Sequence, residues 1–507
     1  MTSLLEGCAT PEGTRRFAAR YAADKADDAY CELGATGLRV ARLGFGGYRV
    51  DDRVEAHRLA LEQALKAGVN LVDTSTNYTD GHSERLVGDV LKKLAQAKEI
   101  ARDEVVVVTK IGYVQGENLT RAERAETEGR AFPEMVKVSP GLWHCLHPSW
   151  LDEQLERSRQ RLGLQCIDVC LLHNPEYFLH DAASRQVPLA DARGEFYRRL
   201  TEAFRWFEGA VQRGEIASYG VSSNTCVSAV NDRDATELTR MLEAATIASS
   251  NHGFRVLQLP FNLLEPAAAL LANSGEPPQS VLEVARARQI GVLVNRPLNA
   301  ITQQGLQRLA RPDDLQIGVP LAAAMARLEA LEQEFRTNLA PLLRSGPRTP
   351  PPTTLLDWSG QLSRLPQSKL TLAQWNDLES HVIGPRTAQV LAALDRGLSG
   401  AQGVNWPDLR ERYLEGLGRV LQALRARAVA QSRADADAWS RRLDPALPAD
   451  LRTAGLSQKA LHVVASTPGV STVLVGMRSV EWVDDAVATL RWPRLADTRA
   501  ALRSMNS

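Results

Sequence analysis

Short apolar runs alternate with amphipathic helical segments along most of this chain, and this alternation is what most limits its fold. A hairpin followed by a first strand is predicted within 33–50. Seven further strands are predicted at 70–74, 105–110, 167–173, 216–221, 256–260, 290–294 and 472–475. Strands that alternate with helices are typical of a parallel α/β architecture. Because the count is eight and no G-x-G-x-x-G follows any early strand, a closed (β/α)₈ TIM barrel is favoured over an open doubly wound sheet.

Helices are predicted between the strands wherever apolar residues recur at helical spacing. Gly68 and Gly163 are expected to end two of these helices, and Ser83 is expected to cap the start of another. The helices predicted around the barrel are 54–67, 83–97, 149–162, 195–213 and 457–466.

Two long stretches interrupt the alternation, and each of them follows a strand. The shorter stretch, 114–147, separates the third strand from the next helix. The longer stretch, 301–452, follows the seventh strand and keeps leucines at helical spacing, so we predict an inserted all-helical subdomain. The chain then divides into an N-terminal extension (1–30), a barrel made of 31–300 with 453–507, and the insertion. Segments that follow barrel strands are expected at the C-terminal, catalytic face.

The charge balance excludes two classes of function. Among 507 residues, Lys plus Arg and Asp plus Glu number 60 each, so the net charge is zero. This balance lacks the basic footprint of a nucleic-acid-binding protein and argues against a membrane-surface role. No apolar run approaches the ~20 residues that a membrane-spanning helix needs. Scattered cysteines without a C-x-x-C motif, and an N-terminus without a signal-peptide pattern, predict a cytoplasmic protein.

Four reactive side chains stand at the ends of three successive predicted strands. Asp73 and Tyr78 follow the second strand, Lys110 ends the third and His173 ends the fourth. Because the carboxyl ends of parallel strands meet at one rim of a barrel, we expect these groups to lie close together. An acid, a phenol, an amine and an imidazole in one place can protonate an oxygen that is becoming an alkoxide, which is what carbonyl reduction requires.

The expected chemistry depends on the acidity of Tyr78. A phenol has an unperturbed pKa of ~10, and the ammonium of Lys110 is expected to lower that pKa by favouring the phenolate. Asp73 would pair with Lys110 and keep it protonated, while His173 would orient a substrate oxygen through a hydrogen bond. The hydride must come from a cofactor, because no side chain can supply one.

Each of these residues also has a plain structural interpretation. Taken alone, Asp73 is more often a strand-end or capping residue, and Lys110 is more often a solvated strand end. Tyr78 alone is usually a half-buried aromatic residue, and His173 alone is usually a structural histidine. Their occurrence together at consecutive strand ends is what favours a catalytic site.

A short run of His144, Cys145 and His147 invites a metal-binding interpretation. No spaced second pair of ligands completes such a site. We therefore predict no metal, and we interpret these residues as loop histidines or as part of a pocket wall.

Eight blocks of sequence resemble the aldo-keto reductase family, and they occur in the order of that family. The blocks are GFGGY (44–48), GVNLVDTSTNYTDGHSERLVG (68–88), VVTK (107–110), DVCLLH (168–173), GEIASYGVSSN (214–224), LQLPFNLLEP (257–266), NRPL (295–298) and STVLVGMRS (471–479). They cover nearly the whole chain outside the insertions. The resemblance implies a (β/α)₈ barrel that binds a nicotinamide cofactor without a Rossmann fold. It also implies that Tyr78 is the acid, that Lys110 and Asp73 support it, and that His173 orients the substrate.

The resemblance further assigns a set of cofactor-binding positions. The family's carboxamide-binding Ser–Asn pair falls on Ser222 and on either Ser223 or Asn224, because an extra serine leaves the register open. Gln258 matches a glutamine that contacts the nicotinamide. The full set is Gly47, Tyr48, Ser222, Ser223, Asn224, Gln258, Arg296, Leu298, Gly476 and Arg478.

Two positions bear on the choice of cofactor. Arg478 could meet a 2′-phosphate by bidentate pairing, which favours NADP(H) over NAD(H). Asn295 stands where many family members carry an aromatic residue that stacks on the nicotinamide.

The stretch 114–147 is expected to form a wall of the substrate pocket. Tyr113 and Trp143 are its predicted contacts with substrate, together with Tyr48 from the first βα loop.

We therefore expect an NAD(P)H-dependent oxidoreductase that reduces an aldehyde, ketone or sugar carbonyl, or oxidises the corresponding alcohol. Its expected partner is that small molecule. The alternative is a cofactor-binding regulatory or scaffold subunit, as with the potassium-channel β subunits that resemble this family, and the helical insertion could then bind a protein partner. A third class is a redox-neutral lyase or epimerase that uses a bound cofactor.

Overall fold

A computed structural model describes residues 4–303, 305–315, 318–343, 351–365, 370–399 and 405–506. The chain divides into two compact units. The first is Met1–Ala300 together with Leu443–Ser507, and the second is Ile301–Arg442. The sequence predicts 452 as the end of the insertion, but the chain belongs to the first unit from Leu443 onwards. One reason is that Asp444 pairs with Lys459 of that unit at 2.6 Å.

The first unit contains eight parallel strands closed into a ring, which confirms the predicted (β/α)₈ fold. Each strand pairs with the next along the chain, and the last returns to the first. The strands β3 and β4 are buried along their whole length, as expected where helices cover a parallel sheet. The strands are β1 (Leu43–Gly46), β2 (Leu71–Asp73), β3 (Val106–Ile111), β4 (Ile167–His173), β5 (Ile216–Ser222), β6 (Phe254–Pro260), β7 (Gly291–Asn295) and β8 (Thr472–Val475).

Helices follow the strands, close to the predicted positions. One of them, Leu189–Gln212, starts before the predicted residue 195 because its buried stripe already includes Ala192. The helices of this unit are Pro11–Arg20, Glu55–Lys66, His82–Gln96, Glu117–Thr127, Pro148–Leu162, Tyr177–Ser184, Leu189–Gln212, Leu238–Ala248, Ala267–Leu270, Val281–Ala287, Leu456–Ser466, Val480–Val487 and Thr498–Asn506.

The predicted capping role of Ser83 is wrong. The helix begins one residue earlier, at His82, and Gly81 precedes it in a left-handed conformation with φ of 84°. The Ser83 hydroxyl instead donates to the carbonyl oxygen of Gly47 at 2.9 Å and lies 2.7 Å from the Thr74 hydroxyl. Ser83 therefore ties the loop after β1 to the loop after β2.

A hairpin precedes β1 as predicted and covers the N-terminal end of the barrel, but its first strand lies at 30–32, before the predicted range 33–50. Its strands, Tyr30–Glu32 and Arg39–Ala41, pair in antiparallel register. Apolar side chains of this region pack with residues of the barrel strands in one buried cluster. The members of that cluster are Ala9, Leu33, Leu38, Val40, Leu71, Val106, Val108, Val169, Leu171, Val256, Leu293 and Leu474.

The stretch between β3 and the next helix is more ordered than its polar sequence indicates. It contains the helix Glu117–Thr127 and a three-stranded sheet. The strands of that sheet are Tyr113–Val114, Val136–Ser139 and Leu142–His144, and the last of them is central.

The second unit is largely helical and has its own core. Two short paired strands, Asn299–Thr302 and Gly305–Arg308, lead into it. Its core includes Leu328, Phe335 and Trp375. Its helices are Leu321–Asn338, Trp358–Ser363, Leu372–Leu378, Gly384–Gly397 and Trp406–Leu443, with a π-helical turn at Glu379–Ile383. Within the ranges described above, no helix of either unit has both the length and the apolar character needed to span a bilayer.

Candidate active site

The four predicted catalytic residues meet at the C-terminal rim of the barrel. Asp73 ends β2, Lys110 lies near the end of β3 and His173 ends β4, while Tyr78 follows β2 in a short turn. Lys110 is fully buried, whereas Tyr78 keeps 9% and His173 keeps 7% of its surface exposed. The phenol and the imidazole are therefore the members of this group that a substrate can reach.

The ammonium of Lys110 has a partner for each of its three N–H groups. Its Nζ donates to Asp73 Oδ2 at 2.8 Å, to the Thr74 carbonyl oxygen at 2.8 Å and to the Tyr78 hydroxyl at 3.0 Å. The same nitrogen lies 4.5 Å from the centre of the Tyr78 ring. This geometry holds one positive charge directly against the phenol oxygen.

The carboxylate of Asp73 extends the network across the barrel. Its second oxygen, Oδ1, accepts from Gln258 Nε2 at 2.8 Å. Gln258 in turn accepts from the Ser222 hydroxyl at 2.9 Å. A continuous hydrogen-bonded chain thus runs from Ser222 on β5, through Gln258 on β6, to the ion pair and the phenol.

Burial dominates the electrostatics of this group. It raises the pKa of Asp73 and lowers the pKa of Lys110, and the attraction within the ion pair opposes both changes. Burial, the Asp73 charge and the neighbouring Tyr48 phenol hold the pKa of Tyr78 well above its ordinary value. The expected lowering of this pKa is therefore wrong for the protein without ligands. Tyr78 stays protonated at neutral pH, which is the form in which it can donate.

His173 is held as a neutral imidazole. Burial, reinforced by the charge of Lys110, places the pKa of His173 well below its ordinary value. Its Nδ1 lies 3.0 Å from the oxygen of the Ser75 hydroxyl, and that hydroxyl donates its hydrogen to Asn77 Oδ1 at 2.7 Å. Sequence reasoning missed Ser75. Its position two residues after Asp73 was the available signal, because residues just beyond a barrel strand also line the rim.

His144 is a second functional residue that sequence reasoning set aside. Its side chain is fully buried, and its Nε2 lies 2.7 Å from the carbonyl oxygen of His173. Burial lowers the pKa of His144 to about 4, so the ring is neutral and can donate from this nitrogen. His144 therefore fixes the backbone that carries His173.

Two consecutive residues after Tyr78 adopt left-handed backbone conformations without being glycine. Thr79 has φ of 46° and Asp80 has φ of 55°, and such conformations are costly for a β-branched residue. Side chains hold the turn in place, since the Thr79 hydroxyl donates to the Val50 carbonyl at 2.6 Å and Asp80 Oδ1 accepts from Glu117 N at 3.0 Å. The turn determines where the phenol of Tyr78 lies.

The loop after β1 carries two of the predicted cofactor residues. Gly47 donates its N–H to the Asp73 carbonyl at 2.8 Å, and a Cβ there would lie 2.7 Å from that oxygen and 2.7 Å from the Ser83 hydroxyl. Only glycine fits this approach. Tyr48 is 62% exposed, and its ring packs edge-on against Tyr78 with the centroids 5.2 Å apart.

The three predicted cofactor-binding residues after β5 have different surroundings. Ser222 is linked to Asp73 through Gln258. Ser223 is buried, and its hydroxyl lies 2.9 Å from that of Thr236. Asn224 exposes its side chain, while its N–H donates to Glu176 Oε1 at 2.7 Å.

The predicted residues after β7 lie in a tight turn. Arg296 has φ of 53° and pairs with Glu265 at 3.1 Å, and Leu298 is half-buried. Asn295 ends β7, and its Oδ1 is buried without a hydrogen-bond partner among the residues that the structure describes.

The turn after β8 carries Gly476 and Arg478. Gly476 is exposed, and a Cβ there would meet nothing within 4 Å. The guanidinium of Arg478 lies 5.3 Å from the Trp482 ring, and burial followed by the charge of Arg49 lowers the pKa of Arg478. Within the described part of the chain, neither arginine is ion-paired with a carboxylate.

The two predicted pocket residues of the 114–147 stretch take different positions. Tyr113 packs on His173 with the ring centroids 4.5 Å apart, and its hydroxyl accepts from Asn174 Nδ2 at 2.8 Å. Trp143 instead packs against the cluster of Val114, Ala122, Cys145 and Trp150. The structure thus brings Tyr113 to the catalytic group, while Trp143 contributes to the core of the small sheet.

One group of side chains could in principle hold a metal, among the residues described. It consists of Asp51, Asp52 and His82. Asp51 is already paired with Arg53 at 2.6 Å, and His82 Nδ1 lies 2.7 Å from Asp52 Oδ1. These contacts already engage Asp51, Asp52 and His82, so the group gives no support for a metal centre.

A rim that presents a protonated phenol on a buried ion pair, beside a neutral imidazole, has the groups needed to donate a proton to a small molecule. The sequence profile described as the Aldo/keto reductase family matches residues 42–312, more than half of the chain. The chain belongs to this family.

Individual relatives match shorter parts of the chain. The NADH-specific methylglyoxal reductase of Escherichia coli is 31% identical over 157 residues, 28% of this chain and 40% of the relative. The D-threo-aldose 1-dehydrogenase of a Pseudomonas species is 32% identical over 152 residues, 28% of this chain and 42% of the relative. The chain therefore aligns with less than half the length of these curated relatives. A solved aldo/keto reductase from Klebsiella pneumoniae, in complex with NADP and acetate, has a TM-score of 0.44 and 15% identity, with 94% of each chain covered.

Proposed function

We propose that this protein is an NAD(P)H-dependent oxidoreductase that reduces the carbonyl group of a small polar molecule, or oxidises the corresponding alcohol. The observation that carries the proposal is the Tyr78 hydroxyl, held 3.0 Å from the Lys110 ammonium at an accessible rim. Membership of the Aldo/keto reductase family supports it. A cytoplasmic location, and a small molecule rather than a nucleic acid as partner, belong to the same proposal.

The residues at the rim fit a nicotinamide cofactor. Gly47 packs closely against Asp73 and Ser83 and so fixes the loop after β1, from which Tyr48 offers an exposed ring beside the phenol. The orphaned Asn295 Oδ1 and the Ser222–Gln258 pair offer amide and hydroxyl groups to a carboxamide. When bound, the cofactor supplies the hydride that no side chain can give.

The chain's own residues account for the proton. Tyr78 is protonated because its pKa is raised, so it can donate a hydrogen bond to a carbonyl oxygen and then its proton to the forming alkoxide. Lys110 stabilises the phenolate that remains, since its N–H already points at that oxygen. Neutral His173 has its Nδ1 occupied by Ser75, which leaves Nε2 to position the substrate.

NADP(H) is proposed in preference to NAD(H). Arg478 and Arg49 place two guanidinium groups near each other, neither ion-paired within the described ranges, and such groups suit a phosphate. The methylglyoxal reductase similar to this chain is described as NADH-specific, so the choice requires a direct test.

The test of cofactor choice is a fluorescence titration of the full chain with NADPH and with NADH. We expect tighter binding of NADPH in the unmodified protein. Arg478→Gln should weaken NADPH binding by about tenfold to a hundredfold, the worth of a charge-assisted hydrogen bond, and leave NADH binding nearly unchanged. Equal losses for both cofactors would remove the assignment of Arg478 to a 2′-phosphate.

The test of the chemistry is Tyr78→Phe, assayed with a panel of aldehydes, ketones and aldoses. We expect carbonyl reduction to fall by at least about 10²- to 10⁴-fold, while nicotinamide binding is kept. Tyr219→Phe is the matched control, because it removes a phenol hydroxyl that donates to Glu208 at 2.6 Å and does not contact Lys110. Normal turnover by Tyr78→Phe would overturn the proposal.

A cofactor-binding regulatory or scaffold subunit is the second candidate. The observation in its favour is the separate unit Ile301–Arg442, which has a hydrophobic core of its own. The experiments above separate the two candidates, because a subunit of this kind binds cofactor and shows no turnover that depends on Tyr78.

A further inference from the structure

The N-terminal segment of the chain lies beside the start of β4, at the opposite end of the barrel from the catalytic group. Leu5 N donates to the Gly163 carbonyl at 2.8 Å, and Gln165 N donates to the Leu5 carbonyl at 3.0 Å. Farther along, Ala9 N donates to Asp168 Oδ1 at 2.6 Å. Hydrogen bonds on both sides thus fix the residues in between, 6–8, against 164–168.

This register brings two cysteines together. Cys8 lies between the anchored residues Leu5 and Ala9, and Cys166 immediately precedes β4. Cys166 Sγ lies 3.7 Å from the Ile167 carbonyl oxygen, and the neighbouring Cys166 side chain is the largest influence on the pKa of Cys8. Both residues are free thiols, and Cys8 is half-exposed whereas Cys166 is buried. The Cys8 side chain is therefore accessible to a reagent, whereas the Cys166 side chain is buried.

A buried arginine supplies positive charge to this pair. Arg102 Nη2 donates to the Cys166 carbonyl at 3.0 Å and to Asp168 Oδ2 at 2.8 Å, with the side chain only 8% exposed. Its Nε has no hydrogen-bond partner among the described residues. The neighbouring Cys166 side chain, aided by the Arg102 charge, lowers the pKa of Cys8 to about 7, against burial and the Asp168 charge. A large fraction of Cys8 is therefore thiolate at neutral pH, the reactive form of cysteine.

We propose that Cys8 and Cys166 form an oxidation site, at which a hydroperoxide converts the thiol pair into a disulfide that ties the N-terminal segment to the base of the barrel. The proposal rests on the packing of these two side chains and is independent of the proposed carbonyl chemistry.

The reaction proceeds in two balanced steps. The Cys8 thiolate attacks one oxygen of the peroxide, the O–O bond breaks, and Cys8 becomes a sulfenic acid as the departing oxygen takes up a proton. The Cys166 sulfur then attacks the Cys8 sulfur, the S–S bond forms, and the S–O bond breaks to release water with the Cys166 proton. For hydrogen peroxide, two thiols and one peroxide give one disulfide and two waters. The sulfurs lose the two electrons that the peroxide gains.

The direct test is a peptide map of the full chain, reduced, exposed to hydrogen peroxide and then alkylated under denaturing conditions. We expect a cross-linked peptide that joins Cys8 to Cys166, reversible by a dithiol. Cys8→Ser and Cys166→Ser should each abolish it. Cys31→Ser is the matched control, because Cys31 is also half-exposed and its thiol donates to the Ser471 carbonyl instead; it should leave the cross-link intact.

Two further readouts do not depend on the folding of the cysteine variants. Alkylation of Cys8 in the unmodified protein should reach its half-maximal rate near pH 7, below the pH expected of an ordinary thiol. Peroxide should also raise the Tm of the unmodified protein by a few degrees, because a disulfide between residues so far apart in sequence constrains the unfolded chain.

Several results would overturn the proposal. One is a peroxide-treated protein that keeps both thiols. Another is a cross-link that joins other cysteines. A third is Cys8 oxidised to its sulfinic acid while Cys166 remains a free thiol.

Discussion

Two buried ion pairs sit at opposite ends of the same barrel, and they look alike in isolation. Asp73 and Lys110 meet at 2.8 Å at the C-terminal rim, and Asp168 and Arg102 meet at 2.8 Å at the N-terminal end. All four side chains are nearly or fully buried. A carboxylate paired with a cation inside a barrel is therefore not, by itself, a sign of catalysis.

The two pairs differ in the other groups that they bind. Asp168 also accepts from the backbone N–H groups of Ala9 and Val107, at 2.6 and 2.7 Å, and Arg102 also donates to the carbonyls of Val105 and Cys166. The Asp168–Arg102 pair therefore connects segments of main chain through hydrogen bonds.

Lys110 instead gives one N–H to the Tyr78 hydroxyl, a side chain with exposed surface. The third partner of the cation therefore distinguishes the pair proposed for catalysis from the structural pair.

Among substitutions at the two ends of the barrel, Lys110→Met should have the largest effect on activity. We expect kcat for carbonyl reduction to fall by about 10²- to 10⁴-fold, because the phenol loses the ammonium that stabilises its conjugate base. Steady-state rates on the folded fraction, measured with a saturating cofactor, check this. A fall of less than about tenfold would mean that the ion pair at the rim is only structural, like the pair at the other end.

The converse change is Asp168→Asn at the N-terminal end. It leaves Arg102 buried without its charge partner, so the free energy of unfolding should fall by about 3–5 kcal/mol. Urea unfolding followed by circular dichroism measures the loss. The kcat of the folded protein should stay within about twofold of its original value, since the pair lies at the far end of the strands. A large loss of kcat with normal stability would reverse the roles assigned to the two pairs.

The catalytic end should also be more sensitive to acid, through His144. Its pKa is about 4 in the folded protein, below the unfolded value, so the unfolded chain binds more protons as the pH falls from about 6.5 to 4. Stability is then unaffected above that window and is lost within it, by about 2 kcal/mol at pH 5 relative to pH 7 from this residue alone.

Urea midpoints at the two pH values measure this acid sensitivity. His144→Gln keeps a donor for the His173 carbonyl and removes the titration, so its midpoint should fall less between pH 7 and pH 5. An equal fall in both proteins would exclude His144 as the source.

The smallest expected effect concerns Ser75. Ser75→Ala removes the hydroxyl that lies 3.0 Å from His173 Nδ1, so the imidazole loses a contact that fixes its orientation. We expect kcat/KM to fall by about twofold to tenfold, which corresponds to the loss of one hydrogen bond. Ser223→Ala is the matched control, because that hydroxyl contacts Thr236 and not the catalytic network. If Ser223→Ala causes the larger loss, then the network identified at the rim is incomplete.

The sequence was sufficient for the barrel and for the position of its candidate catalytic group. Strands buried on both faces leave continuous apolar runs, and parallel strands bring their carboxyl ends to one rim. Asp73, Lys110 and His173 could therefore be placed near each other from their positions at strand ends. The period of the pattern and the direction of the strands carry this information, and neither requires knowledge of side-chain packing.

What the sequence could not supply is the depth of burial and the pairing of short strands. The pKa of Tyr78 was predicted in the wrong direction because burial outweighs the nearby ammonium, and burial is a property of the whole rim. His144 and Trp143 alternate along one short strand, so they face opposite sides. Which side meets His173 depends on the pairing of that strand with Tyr113 and Val114, and no local pattern gives it.

The hairpin formed by Tyr30–Glu32 and Arg39–Ala41 determines from which end a small molecule can enter the barrel. Leu33, Leu38 and Val40 fill the bottom of the cylinder with apolar side chains. The hairpin therefore closes the N-terminal end of the barrel. A small molecule that contacts the Tyr78 hydroxyl must approach it from the C-terminal rim.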